Sequence, residues 1–384
     1  MLRNKTILLI SPQPWGDIFV SKHHYAVELA SRGNKVIFLN PPNANAPVSF
    51  NLLDVAANIQ VLTFRPFFNI SWRFKFRPVF DLLMRWQVNK VMNFLDHIID
   101  VVWCFDPNIY SDLNWFGAKY NIFHPVDPIV YHYQVKPGNS ADIIFSVSEK
   151  ILSAYKGLTT PAYFINHGVS EVFAKLAKHN LTILQSGNYK IKQNQPIKVG
   201  YVGNLLRSEV DRPLLLHLIE KHKDVEFNLW GPYTFNNNNL AGANTNDTVL
   251  FIDKLKNAPN VILHGKVTGS DLATQISNMD VFLLLYNLAH GTSDRSNSHK
   301  ILEYLSTGKV IVSYKIDTYL NYRHLLAFAD EDTQESFSAK FEEVITSLDF
   351  WNKAELQEQR VGFVLHNRYT DQLDRICRVV LNKN

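Results

Sequence analysis

The chain has 384 residues, 46% hydrophobic and 19% charged, with a formal net charge of +4 at pH 7. A prior of roughly 150 residues per domain suits two or three domains with a sizeable core, which excludes global disorder. The charge is too small to imply a nucleic-acid partner, and no apolar run approaches the roughly 20 residues that span a bilayer.

In chain order, a basic tip is followed by an apolar run confined to residues 7–10. A signal-peptide core needs roughly 7–15 such residues, so 6–11 is predicted as a buried strand. Residues 21–32 read as a helix closed by Gly33, and 35–39 as a strand stopped by Pro41 and Pro42. Residues 64–90 are basic and aromatic, leading into a helix expected to run to about residue 100. Short apolar runs follow at 101–105, 121–124 and 143–147. Strand-length runs alternating with amphipathic helices predict parallel βαβ units in a doubly wound sheet. The pattern breaks at 174–196, which is rich in Lys, Asn and Gln. It restarts with runs at 197–202, 225–229, 261–263, 281–285 and 310–313. The expected fold class is therefore α/β, with two Rossmann-like domains. Residues 235–248 are Asn-rich and predicted as a loop. Cys104 and Cys377 lie far apart with no metal-ligand spacing, which fits a reducing, cytoplasmic compartment.

The most informative stretch runs from Gly291 to Val312. Small polar residues at 291–299 follow the 281–285 strand and open a helix predicted over 298–306, closed by Gly308. A helix start outside the carboxyl end of a parallel strand offers free N–H groups to phosphates. Lys300 and Glu303 are three apart and share a helix face. The lysine suits a diphosphate and the carboxylate suits two ribose hydroxyls. The same spacing also reads as a surface ion pair worth a few tenths of a kcal/mol.

The segment from Ser298 to Val312 resembles the donor-binding segment of family-4-type GT-B glycosyltransferases, especially bacterial polysaccharide enzymes. Further pieces follow in family order. Gly203 and Asn204 resemble the first turn of the donor domain, and Trp230-Gly231 resembles its second strand end. His264, Gly265, Lys266 and Val267 resemble the base-contacting strand, while Asn297, Ser298 and His299 lead into the ribose glutamate, Glu303. The segment from Ile165 to Phe173 resembles the entry to the interdomain linker. Residues 367–370 resemble the start of a final helix that returns to the first domain. The resemblance implies a GT-B fold, two Rossmann-like domains facing a central cleft. Residues 1–173 completed by 367–384 would form the acceptor side, 174–195 a linker and 196–366 the donor domain. Two positions depart from the family. Arg295 stands where many members have an acid, and Asn204 stands where an arginine is common. Arg207 is the nearest cation and the candidate phosphate ligand.

The implied function is transfer of a sugar from a nucleotide-diphosphate sugar to a glycan or lipid-linked glycan in cell-surface polysaccharide synthesis. The string Asp330-Glu331-Asp332 matches the metal motif of another glycosyltransferase class, but it reads as a solvated turn. No metal or other cofactor is therefore expected, and Arg207, Lys300 and N–H groups of 297–299 would meet the leaving charge. The base is expected from His124 or Asp127 at a strand end, with Asp127 preferred and Asp106 on the preceding strand. In a GT-B enzyme the loop after the first strand faces the cleft. Gly16 there would allow close approach, and Asp17, Lys22 and His24 would face the acceptor, one histidine of the pair 23–24 packing under the loop. Residues 64–90 carry Arg65, Arg73, Lys75, Arg77, Arg85 and Lys90 against Asp81. Phe67, Trp72, Arg73, Lys75 and Arg77 are the expected contacts with an anionic membrane surface, peripheral on its inner face. Two other readings stay open: a sugar-nucleotide 2-epimerase of the same fold, and a non-catalytic nucleotide-sugar or glycan-binding scaffold.

Overall fold

The structure, a computed structural model, describes residues 2–16, 19–186, 196–234, 245–290 and 297–381. The chain divides into two compact units, Met1–His167 with Tyr369–Asn384, and Gly168–Arg368.

The first unit holds β1 (Thr6–Ile10), β2 (Lys35–Leu39), β3 (Phe50–Ala56), β4 (Ile59–Phe64), β5 (Val101–Cys104), β6 (Tyr120–Phe123), β7 (Ile143–Ser146) and β8 (Ala162–Phe164). Among the described residues they form one sheet in the order β3-β4-β2-β1-β5-β6-β7-β8. All neighbours are parallel except the β3–β4 hairpin. Strand side chains alternate between faces, so each buried strand feeds two cores. Leu8 and Ile10 of β1 enter one, with Phe80, Met84 and Val88. Ile7 and Leu9 enter the other. The Tyr369–Leu381 helix closes that second core with Tyr369, Leu373, Ile376 and Val380, a single helical stripe.

The second unit holds β9 (Ile197–Val202), β10 (Val225–Trp230), β11 (Val261–Gly265), β12 (Val281–Leu284), β13 (Val310–Ser313) and β14 (Ala327–Phe328). Their order is β11-β10-β9-β12-β13-β14, all parallel, the doubly wound order of a dinucleotide fold. Strand direction of growth reverses between β9 and β12, and in the first unit between β1 and β5. Ligands of open α/β sheets bind outside the carboxyl ends of strands at such points.

Two segments differ from their sequence reading. The stretch read as a linker from 174 begins inside the Glu171–Gln185 helix, which buries Phe173, Ala174, Ala177 and Leu184 in the second unit. Lys175, Lys178 and Gln185 lie on the exposed face of that helix, while Asn180 is half-buried and donates to Ser306 O at 3.0 Å; 187–195 lie outside the described residues. The Asn-rich 235–248 stretch likewise ends in a helix, Asn246–Asn257, capped when Thr245 Oγ1 accepts from Thr248 N at 3.3 Å. Residues 235–244 lie outside the described residues.

Candidate active site

In the second unit, three glycine turns lie side by side at the ends of β9, β10 and β11. Gly203 N–H donates to Trp230 O and Gly231 N–H donates to Gly265 O, both at 2.8 Å. Gly231 has φ +129°, and a Cβ there would stand 1.9 Å from the Gly203 carbonyl oxygen. No other residue fits that approach, which leaves backbone uncovered beside the switch point. Trp230 is buried behind it, stacked on His264 at 4.4 Å, its Nε1–H donating to Gln275 Oε1 at 2.6 Å. Asn204 Oδ1 accepts from Leu206 N at 3.0 Å and shapes the turn after Gly203.

Across the switch point, the Lys300–Leu305 helix buries Ile301, Leu302, Tyr304 and Leu305. Tyr304 stacks on Phe282 at 4.3 Å, and its Oη accepts from Val202 N at 2.6 Å, locking the helix to the end of β9. Gly308 follows at φ +78°. Arg360 holds that turn from beneath, donating to Gly308 O at 3.0 Å, Trp351 O at 2.8 Å and Leu325 O at 3.1 Å. On the other face Lys300 and Glu303 are half-buried. Burial pushes the Glu303 carboxyl up to about 7, although the Lys300 charge opposes the rise. Burial also lowers Lys300, with Glu303 raising it and Arg207 lowering it. A half-desolvated carboxylate and ammonium thus share one helix face, with the Arg207 charge in range of Lys300. His299 Nε2 lies 3.9 Å from Glu303 Oε1. Arg207 is exposed and bound to Glu209, Nη2 to Oε1 at 2.5 Å.

In the first unit, Lys22 sits in the first turn of the Ser21–Ser31 helix, 3% exposed. Burial holds its ammonium down to about 8, while Asp127 and then Asp106 pull it back up. Asp106 is buried just past β5, its Oδ1 accepting from Asn108 N at 2.7 Å. Burial raises its carboxyl, and Arg73 and Lys22 are among the groups opposing that. Asp127 is exposed on the loop after β6. Gln134 binds that loop to the Asp106 turn: its Oε1 accepts from Val130 N and Tyr131 N at 2.6 and 2.7 Å, and its Nε2–H donates to Asn108 Oδ1 at 2.9 Å. Lys22, Asp106 and Asp127 thus gather at the β1–β5 switch point.

No protein-family model matches the chain, and no curated protein does. Solved structures match over nearly all of its length. A sucrose-phosphate synthase from Thermosynechococcus elongatus superposes with TM-score 0.69 at 11% identity, covering 99% of this chain and 100% of that one. An alpha,alpha-trehalose 6-phosphate synthase from Burkholderia multivorans gives 0.66 at 10% identity, covering 99% and 97%. A trehalose-6-phosphate protein from E. coli bound with UDP-2-fluoro glucose gives 0.65 at 12%, covering 97% and 98%. The fold is GT-B. Identities this low carry architecture and not substrate.

The GT-B frame sorts the residues expected from sequence. Gly203, Asn204, Trp230, Gly231, His264 and Gly265 belong to adjacent strand ends, while Lys300 and Glu303 share the helix beyond the switch point. Ser298 and His299 are half-buried at its start, and Asn297 is buried. Lys266 is exposed, and Val267 packs against the core. Arg295 and Asp17 lie outside the described residues. Gly16 is exposed, with no atom near a would-be Cβ. His124 is a core histidine instead of a solvent-facing base. It is fully buried, takes the Trp103 Nε1–H on Nδ1 at 3.3 Å, stacks on Phe105 at 4.8 Å and is held down to about 3 by burial. His23 is the histidine packed under the loop: Val20 N donates to its Nδ1, and its Nε2–H donates to Pro14 O. His24 stacks on Tyr369 at 4.6 Å and is lowered to about 4 by burial. The expected membrane contacts also divide. Phe67, Trp72 and Lys75 are exposed. Arg77 turns inward, donating to Asp81 Oδ1 at 2.8 Å and Asn108 O at 2.7 Å, and Arg73 is half-buried with its charge acting on Asp106. The string 330–332 forms an exposed bend before the Gln334–Thr346 helix.

Two features had no sequence signal. Arg360 looks like one more helix arginine until its partners are seen to be carbonyls from three separate segments. The Ser21 hydroxyl meets His167 Nδ1 at 3.1 Å and accepts from Tyr369 Oη at 3.3 Å, joining residues far apart in sequence. The hint for Asp106 was its place directly after a buried strand.

Proposed function

We propose that the protein is a glycosyltransferase that moves a sugar from a nucleoside-diphosphate sugar to a glycan or lipid-linked glycan acceptor. One observation carries this reading: the Lys300–Glu303 face, half-desolvated at the switch point of the second unit. Glu303 accepts the ribose hydroxyls, and Lys300 faces the diphosphate. The GT-B neighbour bound with UDP-2-fluoro glucose supports a nucleotide sugar as donor. The family-4-like order of segments supports an acceptor of the cell-surface polysaccharide class, met by an enzyme working peripherally at the inner face of the membrane.

In the transfer, the acceptor oxygen bonds to the anomeric carbon, the carbon–oxygen bond to the diphosphate breaks, and that electron pair stays on the β-phosphate. Lys300, Arg207 and N–H groups at the helix start stabilise the charge with no metal called on; one such donor is worth about 3–4 kcal/mol in comparable settings. Arg207 must exchange Glu209 for phosphate to take part. The acceptor proton passes to Asp127, the exposed carboxylate beside Lys22. Asp127→Asn is expected to lower turnover by about 100-fold or more without weakening nucleotide binding; unchanged turnover removes Asp127 from the role.

A second reading, a scaffold that binds the nucleotide sugar without turning it over, draws on Asn204 and on the Arg207–Glu209 pair. A thermal-shift panel of UDP, GDP, TDP and ADP with their sugars, followed by release of the diphosphate, separates the two. At 100 times its dissociation constant a ligand stabilises by about 2.7 kcal/mol. A shift with release supports transfer, a shift without release supports the scaffold, and no shift with any nucleotide contradicts both.

A further inference from the structure

The Arg77–Leu95 helix has two apolar faces. Phe80, Met84, Val88, Val91 and Leu95 point into the first unit's core. On the other side Val79, Leu82 and Trp86 are exposed, spaced as a stripe down one face, and Phe94, 43% exposed at its margin, stacks on Phe50 at 5.0 Å. A surface helix ordinarily turns polar residues outward. Here Leu82 is 52% exposed and Trp86 53% exposed. The 3-10 turn that leads into the helix, Ile70–Phe74, buries none of its residues. Trp72, Phe74 and Phe76 are exposed there, the last at 58%. Contiguous apolar surface of this kind marks an interaction site.

The charges around it select the partner. Lys75, Arg85 and Lys90 are exposed among these aromatics. Lys90 Nζ sits 4.4 Å over the Phe67 ring. Of the acids between 65 and 96, Asp81 is half-buried and bound to Arg77 at 2.8 Å and to Lys136 at 3.3 Å, and Asp96 lies at the helix end. The face is therefore apolar with a basic fringe. Aromatic side chains suit the headgroup–acyl boundary, and lysine and arginine suit anionic headgroups.

We propose that this face is where the protein docks on an anionic bilayer, with the Ile70–Phe74 turn and the outward stripe of the Arg77–Leu95 helix in the headgroup region. The inference deepens the lipid-linked acceptor reading and can fail apart from it, because vesicle binding reports on the first unit and nucleotide binding on the second. The test is flotation of the full chain with vesicles of phosphatidylglycerol and phosphatidylcholine, against phosphatidylcholine alone. Binding is expected to the anionic vesicles, falling as salt rises. The triple variant K75E/R85E/K90E is expected to lower partitioning at least about 100-fold, following about 1 kcal/mol per basic residue near the surface. The pair Trp72→Ser and Trp86→Ser should weaken it at all salt concentrations. Both variants change exposed side chains, and an unaltered nucleotide thermal shift reports that the fold is intact. No flotation at low salt, equal binding to neutral vesicles, or a concentration-dependent dimer abolished by the tryptophan pair would overturn the proposal.

Discussion

Glu303 and Lys22 illustrate at the residue scale how a site is held ready against the preference of burial. Glu303 has its carboxyl raised from an ordinary 4.5 to about 7. Below 4.5 it is protonated folded or unfolded and makes no difference to stability. As pH rises from 4.5 to 7 the unfolded chain ionises first, so the folded state loses stability, and above 7 the full penalty stands. Glu303→Gln removes the charge and keeps the shape. Its melting temperature is expected to match wild type near pH 4.5 and exceed it at pH 8, read by calorimetry at both values. Lys22 shows the mirror case. Its ammonium, lowered from 10.5 to about 8, opposes folding at every pH below 8, and the penalty disappears above 10.5. Lys22→Met should therefore melt higher than wild type at pH 7 while losing turnover. A variant that melts lower would mean that Asp106 and Asp127 compensate the buried charge in full.

Elements carry the next level of specificity. The turns at Gly203, Gly231 and Gly265 lie together because three neighbouring parallel strands end side by side, β11 brought level with β10 by a register shift after Leu229, with backbone bonds between the turns. Gly231→Ala would drive a Cβ into the Gly203 carbonyl, and a destabilisation of at least about 2 kcal/mol is expected by denaturant melt. A loss under 0.5 kcal/mol would show that the turns can separate. Much of this was legible in the sequence. The strands 35–39, 197–202 and 310–313 agree with their predicted limits, because short apolar-rich runs opening after a Gly or Pro leave little alternative. The Lys300–Glu303 face was legible from i, i+3 spacing. The Glu171–Gln185 helix was not, because its exposed face carries the Lys and Gln that suggest a linker, while the buried Phe173, Ala174, Ala177 and Leu184 supply a sparse stripe. The outward stripe of the Arg77–Leu95 helix was half legible. The aromatic and basic composition was plain, but which residues face out depends on packing that no local pattern states. Arg77 shows this best, reading as a surface cation yet bonded inward to Asp81 and Asn108.

At the scale of the whole molecule, the chain builds two doubly wound units, each with cores on both faces of its sheet. The first is completed by its last helix, whose Leu373, Ile376 and Val380 are fully buried. Truncation before Tyr369 is expected to open the core beside β1 and unfold the first unit, seen as loss of protease resistance for residues 1–167. Resistance unchanged from wild type would show that the helix is dispensable. The measurement that bears most directly on the account is calorimetric titration of wild type and Glu303→Gln with the preferred nucleoside diphosphate and its 2′,3′-dideoxy analogue. If Glu303 holds the ribose, the analogue should bind wild type at least about 10-fold more weakly, of the order of 1.4 kcal/mol, and Glu303→Gln should show little further loss. An equal loss in both proteins, or a variant that binds as tightly as wild type, would contradict the assignment of this helix face to the donor nucleotide.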